Sequence, residues 1–361
     1  MKIITVKSDN ENYIVYVDKN LDMLFKAIHD NGINADDKIF LITDSKVYSL
    51  YKDFIKQIKQ EYNCKIYSFS EGEESKNEHT IEGIYTFLIE NDANRKSILI
   101  AFGGGVVGDI VGFVSSTFMR GIKYINIPTT LIAQVDSCIG GKVGYNYKKI
   151  KNLIGTFYNP IFVFINVSFI RTLDELQFRS GLGEVLKYGI SLDDKLFKFL
   201  CNNCLEILNR KEEQLMFLVL NCLEIKTLIV GKDFHDNNLR NKLNFGHTVG
   251  HVLETLSEYK IPHGIAVALG MLVSIRLSEK KLGLDKNIYM DVENIYCKLG
   301  IPISYKVDNY SLFLYAINRD KKNDETMRFV LLEELGKSKV KLQVNDMDVF
   351  EAIKKSIYRE D

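Results

Sequence analysis

The 361-residue sequence has no tryptophan, only four prolines and no surplus of either charge, with 47 Lys plus Arg against 47 Asp plus Glu. Charge balance removes any overall electrostatic case for a nucleic-acid partner or an anionic membrane. So few prolines mark no flexible linker, and no internal repeat or low-complexity segment is present. No apolar run is long enough to span a bilayer, because the most apolar stretch, Ile98 to Val114, is broken by Gly103, Gly104, Gly105 and Asp109. The first residues, Met1 to Lys7, alternate like a strand and lack the continuous apolar segment and small-residue cleavage site of a signal peptide. The six cysteines form no disulfide framework in a chain this long, and Cys201 with Cys204 is a C-x-x-C without a second half. Reduced thiols in a cytoplasmic protein are the expectation.

What is present is enough for two domains, since the length exceeds what one core usually holds. From residue 1 to 175, β-branched runs alternate with helical periodicity. Lys2 to Val6 and Tyr13 to Val17 read as a strand pair, and Lys38 to Thr43, Lys65 to Phe69 and Ser97 to Phe102 as further strands. Leu21 to His29, Val47 to Gln60 and His79 to Glu90 read as the helices between them. This pattern implies a mainly parallel α/β sheet covered on both faces, which binds ligands at the carboxyl ends of its strands. From 176 to 361 the strand signal nearly vanishes. Gly181 to Ile190, Lys195 to Leu208, Glu213 to Val230, Thr248 to Ser257 and Gly264 to Leu282 carry helical periodicity, so a mostly α-helical second domain is expected.

Glycines mark the end of one predicted strand. Gly103-Gly104-Gly105-Val106-Val107-Gly108 fits G-x-G-x-x-G and precedes the helical run Asp109 to Phe118, so backbone amides can approach a pyrophosphate at a helix N-terminus. No acidic residue stands about twenty positions on, where a ribose ligand usually lies, but Asp44 ends an earlier strand and can take that role; the expectation is a Rossmann-like variant. Downstream come Arg120, a strand running into Pro128-Thr129-Thr130, then Asp136, Lys142, Asn146, Lys151 and Asn152. Cations and amides interleaved with glycine suit a phosphorylated small molecule.

Half of the six histidines fall between 247 and 263. His247 and His251 are four apart, which on a helix lets both reach one point, the spacing of a metal pair. Peptide hydrolysis of the H-E-x-x-H kind is disfavoured, because Thr248 stands where its glutamate would be. Glu184 and Lys187 lie one helical turn apart upstream, Lys226, Arg240 and Asn244 precede the pair, and Asp320-Lys321-Lys322 adds late cations.

These stretches together resemble the 3-dehydroquinate synthase family: EGEESK (71 to 76), GGGVVGDIVGF (103 to 113), RGIKYINIPTTLIAQVDSCIGGK (120 to 142), KNLIGTFYNP (151 to 160), GLGEVLKYG (181 to 189), LRNKLNFGHTVGH (239 to 251), HG with AVALGM (263 to 271) and DKK (320 to 322). The resemblance implies a homodimer with NAD and a zinc ion, or cobalt in its place. NAD would be held by Asp44, by Glu71, Gly72, Glu73, Glu74, Ser75 and Lys76, by Gly105, Val106, Val107, Gly108 and Asp109, by Thr129, Thr130, Lys142 and Lys151, and by Phe169, Ile170, Arg171 and Thr172. The metal ligands would be Glu184, His247 and His263, with His251 handling protons beside them. That differs from the pairing suggested by spacing.

The implied substrate is 3-deoxy-D-arabino-heptulosonate 7-phosphate, a phosphorylated sugar acid. Lys142, Asn152 and the partner subunit's Arg120 would suit its phosphate, Lys226 and Arg240 its carboxylate, and Lys187, Lys321 or Lys322 either one; Asp136 and Asn244 complete the expected set. Three positions depart from the family pattern. Ile265 follows His263-Gly264 where glutamate is usual, Phe234 stands where glutamate is common, and Asn166 where aspartate is frequent. The first suggests loss of a carboxylate behind the metal ligands and weaker metal binding. Another sugar phosphate cyclase, such as a 2-deoxy-scyllo-inosose synthase, and a non-catalytic NAD-binding protein are the alternatives.

Overall fold

The computed structural model describes residues 1–8, 11–148, 150–306, 313, 316 and 327–358. The chain divides into two compact units, Met1–Leu173 with Lys226–Gly231, and Asp174–Ile225 with Lys232–Asp361.

The first unit is built on β1 (Lys2–Val6), β2 (Tyr13–Asp18), β3 (Ile39–Asp44), β4 (Lys65–Phe69), β5 (Ile98–Gly103), β6 (Lys123–Pro128) and β9 (Phe162–Asn166), in the order β1-β2-β9-β6-β5-β3-β4. All neighbours are parallel except β1 with β2. The helices are α1 (Met23–Asp30), α2 (Ser45–Leu50), α3 (Lys52–Tyr62), α4 (Glu78–Glu90) and α5 (Gly105–Thr117). Alternate strand residues feed two cores. Leu41, Ile100, Ile125 and Phe164 meet Leu24, Ile28, Phe54 and Ile58 on one face, while Phe40, Ile42, Leu99 and Ala101 meet Ile84, Leu88, Ile110 and Val114 on the other. Burial on both faces is why these strands read as continuous apolar runs.

Counted along the five strands β3, β4, β5, β6 and β9, the order is 2-1-3-4-5, a doubly wound variant whose switch point lies between β3 and β5. Asp44 ends β3, Gly103 ends β5 and Pro128 ends β6, so these residues lie side by side at the carboxyl edge.

Two local expectations are corrected. The helix expected over 47 to 60 is two, broken at Tyr51, whose hydroxyl bonds Thr172 Oγ1 instead of continuing a solvent-facing helix surface. The helix after the glycines begins at Gly105, not Asp109, so two of the motif's glycines lie in its first turn. The cationic stretch after Gly141 is an antiparallel hairpin of β7 (Lys142–Tyr147) and β8 (Ile150–Phe157). Its outward polar residues hide the alternation, and Gly144 and Gly155 permit the close backbone approach, since a Cβ at either would collide with the opposite chain.

The second unit contains α6 (Glu175–Ser191), α7 (Asp194–Asn202), α8 (Cys204–Leu208), most of α9 (Glu212–Val230), α10 (His247–Leu256), α11 (His263–Leu282), α12 (Asn287–Leu299) and α13 (Asp346–Lys354). Helix α11 is buried nearly all round from Gly264 to Ser278, as befits the central element of a helical core. One antiparallel hairpin, β10 (Met327–Glu334) with β11 (Lys337–Val344), was not anticipated; β11 is lysine-rich and half exposed, so its alternation resembles a solvated run. Among the described residues no helix is long and apolar enough to cross a membrane.

Candidate active site

In the first unit, Lys76 joins three segments far apart in sequence. Its ammonium donates to Asp109 Oδ2 on α5 and to Asn152 Oδ1 on β8. Asn152 N–H donates to Asn146 Oδ1 at 2.9 Å, and Asn146 Nδ2 donates to Glu73 Oε1 at 2.8 Å. Burial works against the charged Lys76, but Asp109 and Glu73 more than offset it and raise its pKa. Within the EGEESK segment Glu71 and Glu74 face solvent, and Gly72 turns the chain with φ +101 into the single helical turn Glu73–Ser75.

No side chain caps the N-terminus of α5, so its leading amides face outward from the turn at Gly104. A Cβ added at Gly104 or Gly105 would press on Thr130 Cγ2 or Ser137 Oγ, each 3.1 Å away. The recess there is lined by Gly104, Gly105, Gly108, Asp109, Asn126 and Lys142, and uncapped amides at the amino end of a helix are a favourable setting for an anion. Val106 is partly exposed and Val107 is core. Thr129 N–H donates to Gly103 O at 2.9 Å, and Thr130 Oγ1 accepts from Ala133 N–H at 3.2 Å. Asp44 caps α2 by accepting from Val47 N–H at 2.8 Å, and burial raises its pKa.

The segment after β9 lies at the same edge, but Phe169 and Ile170 are core residues. Of that expected contact only Arg171 and Thr172 present exposed side chains. Lys142 and Lys151 lie on β7 and β8. Asp136 sits in a π-helical turn, Ala133–Ser137, a distortion common at functional sites, and Lys226 Nζ reaches its Oδ1 at 3.0 Å.

Arg120 is elsewhere. It occupies an exposed turn with φ +70 before β6, at the amino end of the strand whose carboxyl end borders the recess. A six-residue strand, roughly 17–20 Å long, separates the two.

In the second unit, Glu184 of α6 is fully buried and faces the first residues of two other helices. Its Oε1 lies 3.2 Å from His263 Nε2 and 3.7 Å from His247 Nε2, and its Oε2 lies 2.6 Å from Lys187 Nζ. Glycines bring the three helices together: a Cβ at Gly183 would strike the Gly264 backbone, and one at Gly270 the Gly246 carbonyl. Ligating atoms of Glu184, His247 and His263 lie within 4.8 Å of one another. Two imidazoles and one carboxylate suit zinc or cobalt and leave positions for substrate. Burial, then the Lys187 ammonium, pushes His247 down to about 3.

His251 is not in this triad. It is exposed, with its ring centroid 5.3 Å from that of His247 and 5.9 Å from that of His263. His247 groups with His263 and Glu184, and His251 with Glu254 and His263; the crossing of α10 and α11 that brings these side chains together cannot be shown by four-residue spacing.

The structure adds a residue that sequence reasoning missed. Glu254 of α10 is buried, and its Oε2 lies 3.0 Å from His263 Nδ1. Burial opposes protonation of His263, but Glu184 and Glu254 overcome it and raise its pKa to about 10. A buried carboxylate thus stands behind His263 although position 265 carries none, and Ile265 itself packs in the core. The signal was present: residues 247, 251 and 254 share one helix face.

Arg240 is buried and donates from Nη1 to Phe234 O at 2.8 Å; Asn244 is exposed on the turn leading into α10. Asn166 caps the turn after β9, its Oδ1 accepting from Ser168 N–H at 2.9 Å. Lys321 and Lys322 lie outside the described residues.

A doubly wound sheet with an uncapped glycine turn, in one chain with a helical unit carrying a Glu-His-His cluster, defines a class of two-unit enzymes combining a dinucleotide-type fold with a metal centre. Family models for the 3-dehydroquinate synthase N-terminal and C-terminal domains match residues 66–180 and 181–323. The chain is 55% identical to the 3-dehydroquinate synthase of Clostridium tetani over 99% of its own length and 95% of the relative's. It belongs to the 3-dehydroquinate synthase family. Among solved structures it resembles the 2-epi-5-epi-valiolone synthase of Streptomyces hygroscopicus with NAD+ and Zn2+ (TM-score 0.88, 24% identity, 96% of this chain and 97% of that one). It also resembles a 2-deoxy-scyllo-inosose synthase complexed with carbaglucose-6-phosphate, NAD+ and Co2+ (TM-score 0.85, 22% identity, 99% and 100%). These likenesses concern the fold.

Proposed function

We infer that the protein catalyses its family's reaction, converting 3-deoxy-D-arabino-heptulosonate 7-phosphate to 3-dehydroquinate and phosphate with NAD and a divalent metal ion. The observation that carries this reading is the convergence of Glu184, His247 and His263 in a chain 55% identical to a relative of that name over 357 residues. When bound, NAD supplies a reversible hydride acceptor for the C5 hydroxyl, and the metal supplies a Lewis acid for substrate hydroxyls.

The chain's own residues then have separable tasks. Glu184, His247 and His263 hold the metal, and Glu254 fixes the His263 ring. The Gly103 to Gly108 turn and the amino end of α5 receive the dinucleotide diphosphate, with Asp44 at its ribose. Oxidation at C5 acidifies the C6 proton, so phosphate can depart by β-elimination. Lys142 and Asn152 hold that phosphate, joined by Arg120 of the partner subunit in a homodimer, a division supported by the placement of Arg120 at the wrong edge of its own sheet. His251, exposed beside the metal ligands, moves protons during ring opening and aldol closure. The buried cation Arg240 suits a carboxylate, and its presence disfavours a substrate without one, such as glucose 6-phosphate. All six cysteines are free thiols, which supports a reducing, cytoplasmic location.

Incubation with NAD, metal and the heptulosonate phosphate is expected to release phosphate without accumulating NADH, and chelator is expected to stop it. Phosphate release from glucose 6-phosphate instead, or none from either, overturns the reading.

A further inference from the structure

The loop before the His247 helix is held from two sides. Asp233 Oδ1 accepts from Asn237 N–H at 2.9 Å, and its Oδ2 accepts from Asn238 N–H at 2.8 Å and Arg240 N–H at 2.9 Å. One carboxylate thus closes a ring of backbone ending at Arg240. The Arg240 guanidinium is tied into the same ring through Phe234 O. Backbone donors to a carboxylate are charge-assisted and directional, so they fix where the Arg240 backbone starts.

The second hold comes from β11. Phe329 faces Leu342 and Leu331 faces Lys339, so Val340 and Lys341 together oppose Val330, a β-bulge. Lys341 has φ +60, a conformation uncommon for residues other than glycine. The bulge turns its side chain away from the alternation of the strand, and Nζ donates to Asn237 O at 3.2 Å and Asn238 Oδ1 at 3.1 Å. The ring closed by Asp233 is therefore buttressed by a residue about a hundred positions away, at a site where the strand departs from regular pairing.

We propose that Asp233 is a positioning residue for substrate binding, setting the Arg240 guanidinium against the substrate carboxylate, with Lys341 bracing the same loop from the bulge of β11. The proposal rests on Arg240 as the carboxylate-binding residue. Neither Asp233 nor Lys341 need touch substrate. Their effect is read through Arg240, so it falls on substrates that carry the carboxylate.

The test measures kcat and KM for Asp233→Ala, Asp233→Asn, Lys341→Met and Arg240→Met holoenzymes, with the heptulosonate phosphate and an analogue whose carboxylate is a carboxamide. Asp233→Ala is expected to raise KM for the carboxylate substrate about ten- to a hundredfold, with kcat changed far less. Lys341→Met, at an exposed position, is expected to raise it roughly two- to fivefold. The analogue's KM should move less than about twofold in either variant, and Asp233→Ala combined with Arg240→Met should be no worse than Arg240→Met alone. A KM unchanged in both Asp233→Asn and Lys341→Met while Arg240→Met raises it overturns the proposal and leaves the functional reading standing. Equal losses on both substrates also overturn it, because they mark a general structural effect. An unchanged KM in Arg240→Met overturns the carboxylate assignment, and the proposal with it.

Discussion

At the scale of single residues, the Glu184-His247-His263 cluster depends on contacts of about one side-chain length. Glu184 lies fully buried between two imidazoles and an ammonium, a placement that is stable only when its charge is matched. Glu184→Ala is therefore expected to purify without stoichiometric metal, and metal analysis of the folded variant checks this. Glu254→Gln should leave the fold intact but weaken metal binding about 10- to 100-fold, since it loosens the ring orientation and basicity of His263; competition with a chromophoric chelator measures it. An unchanged affinity would mean that the 3.0 Å contact between Glu254 and His263 does not tune the site.

At the scale of elements, the helix crossings that assemble the cluster are made by glycine. Gly183 on α6 faces Gly264 on α11, and Gly250 and Gly246 at α10 face α11 around Val267 and Gly270. A Cβ at Gly183, Gly264, Gly246 or Gly270 collides with backbone, which cannot move aside as a flexible side chain can, and one at Gly250 presses on backbone at 3.0 Å. Gly183→Ala is expected to destabilise the protein by at least about 1–3 kcal/mol and to lower metal occupancy together with it, as read by the urea midpoint and metal content of the same samples. Loss of stability with full metal occupancy would separate packing from ligand geometry. The helices and the parallel strands were legible because their periodicities are local. The two hairpins were not: β7–β8 and β11 expose much of their polar surface, so pairing with the neighbouring strand decides their conformation more than any apolar stripe does. The break at Tyr51 escaped notice for the same reason, since its hydroxyl partner, Thr172, is remote in sequence.

At the scale of the whole chain, the C-terminal helix α13 is fastened to α11 by charge. Asp348 is buried and paired with Lys280 and with Lys281 Nζ at 2.6 Å, and those hydrogen bonds hold its carboxyl below the ordinary 3.8. Its stabilising contribution is therefore complete above pH 3.8 and is lost as the pH falls through the lowered folded value. Asp348→Asn should lower the urea midpoint at neutral pH, with the difference from the unaltered protein shrinking as solutions are taken below pH 3.8. A difference independent of pH would assign the effect to shape and not to charge.

The sequence by itself determined the chemical inventory: which residues can ligate, donate or carry charge, where glycine removes side chains, and which runs have helix or strand periodicity. It also carried enough motifs in order to indicate the family. Only the tertiary structure decided which of these groups meet. It paired His247 with His263 and Glu184, joined Glu254 to His263, tied Lys76 to Asp109 and Asn152, and set Arg120 at the opposite edge of its own sheet. The physical reason is range: periodicity and capping act within a few residues, whereas a buried carboxylate finds its partners through packing of helices and strands that are distant in the chain.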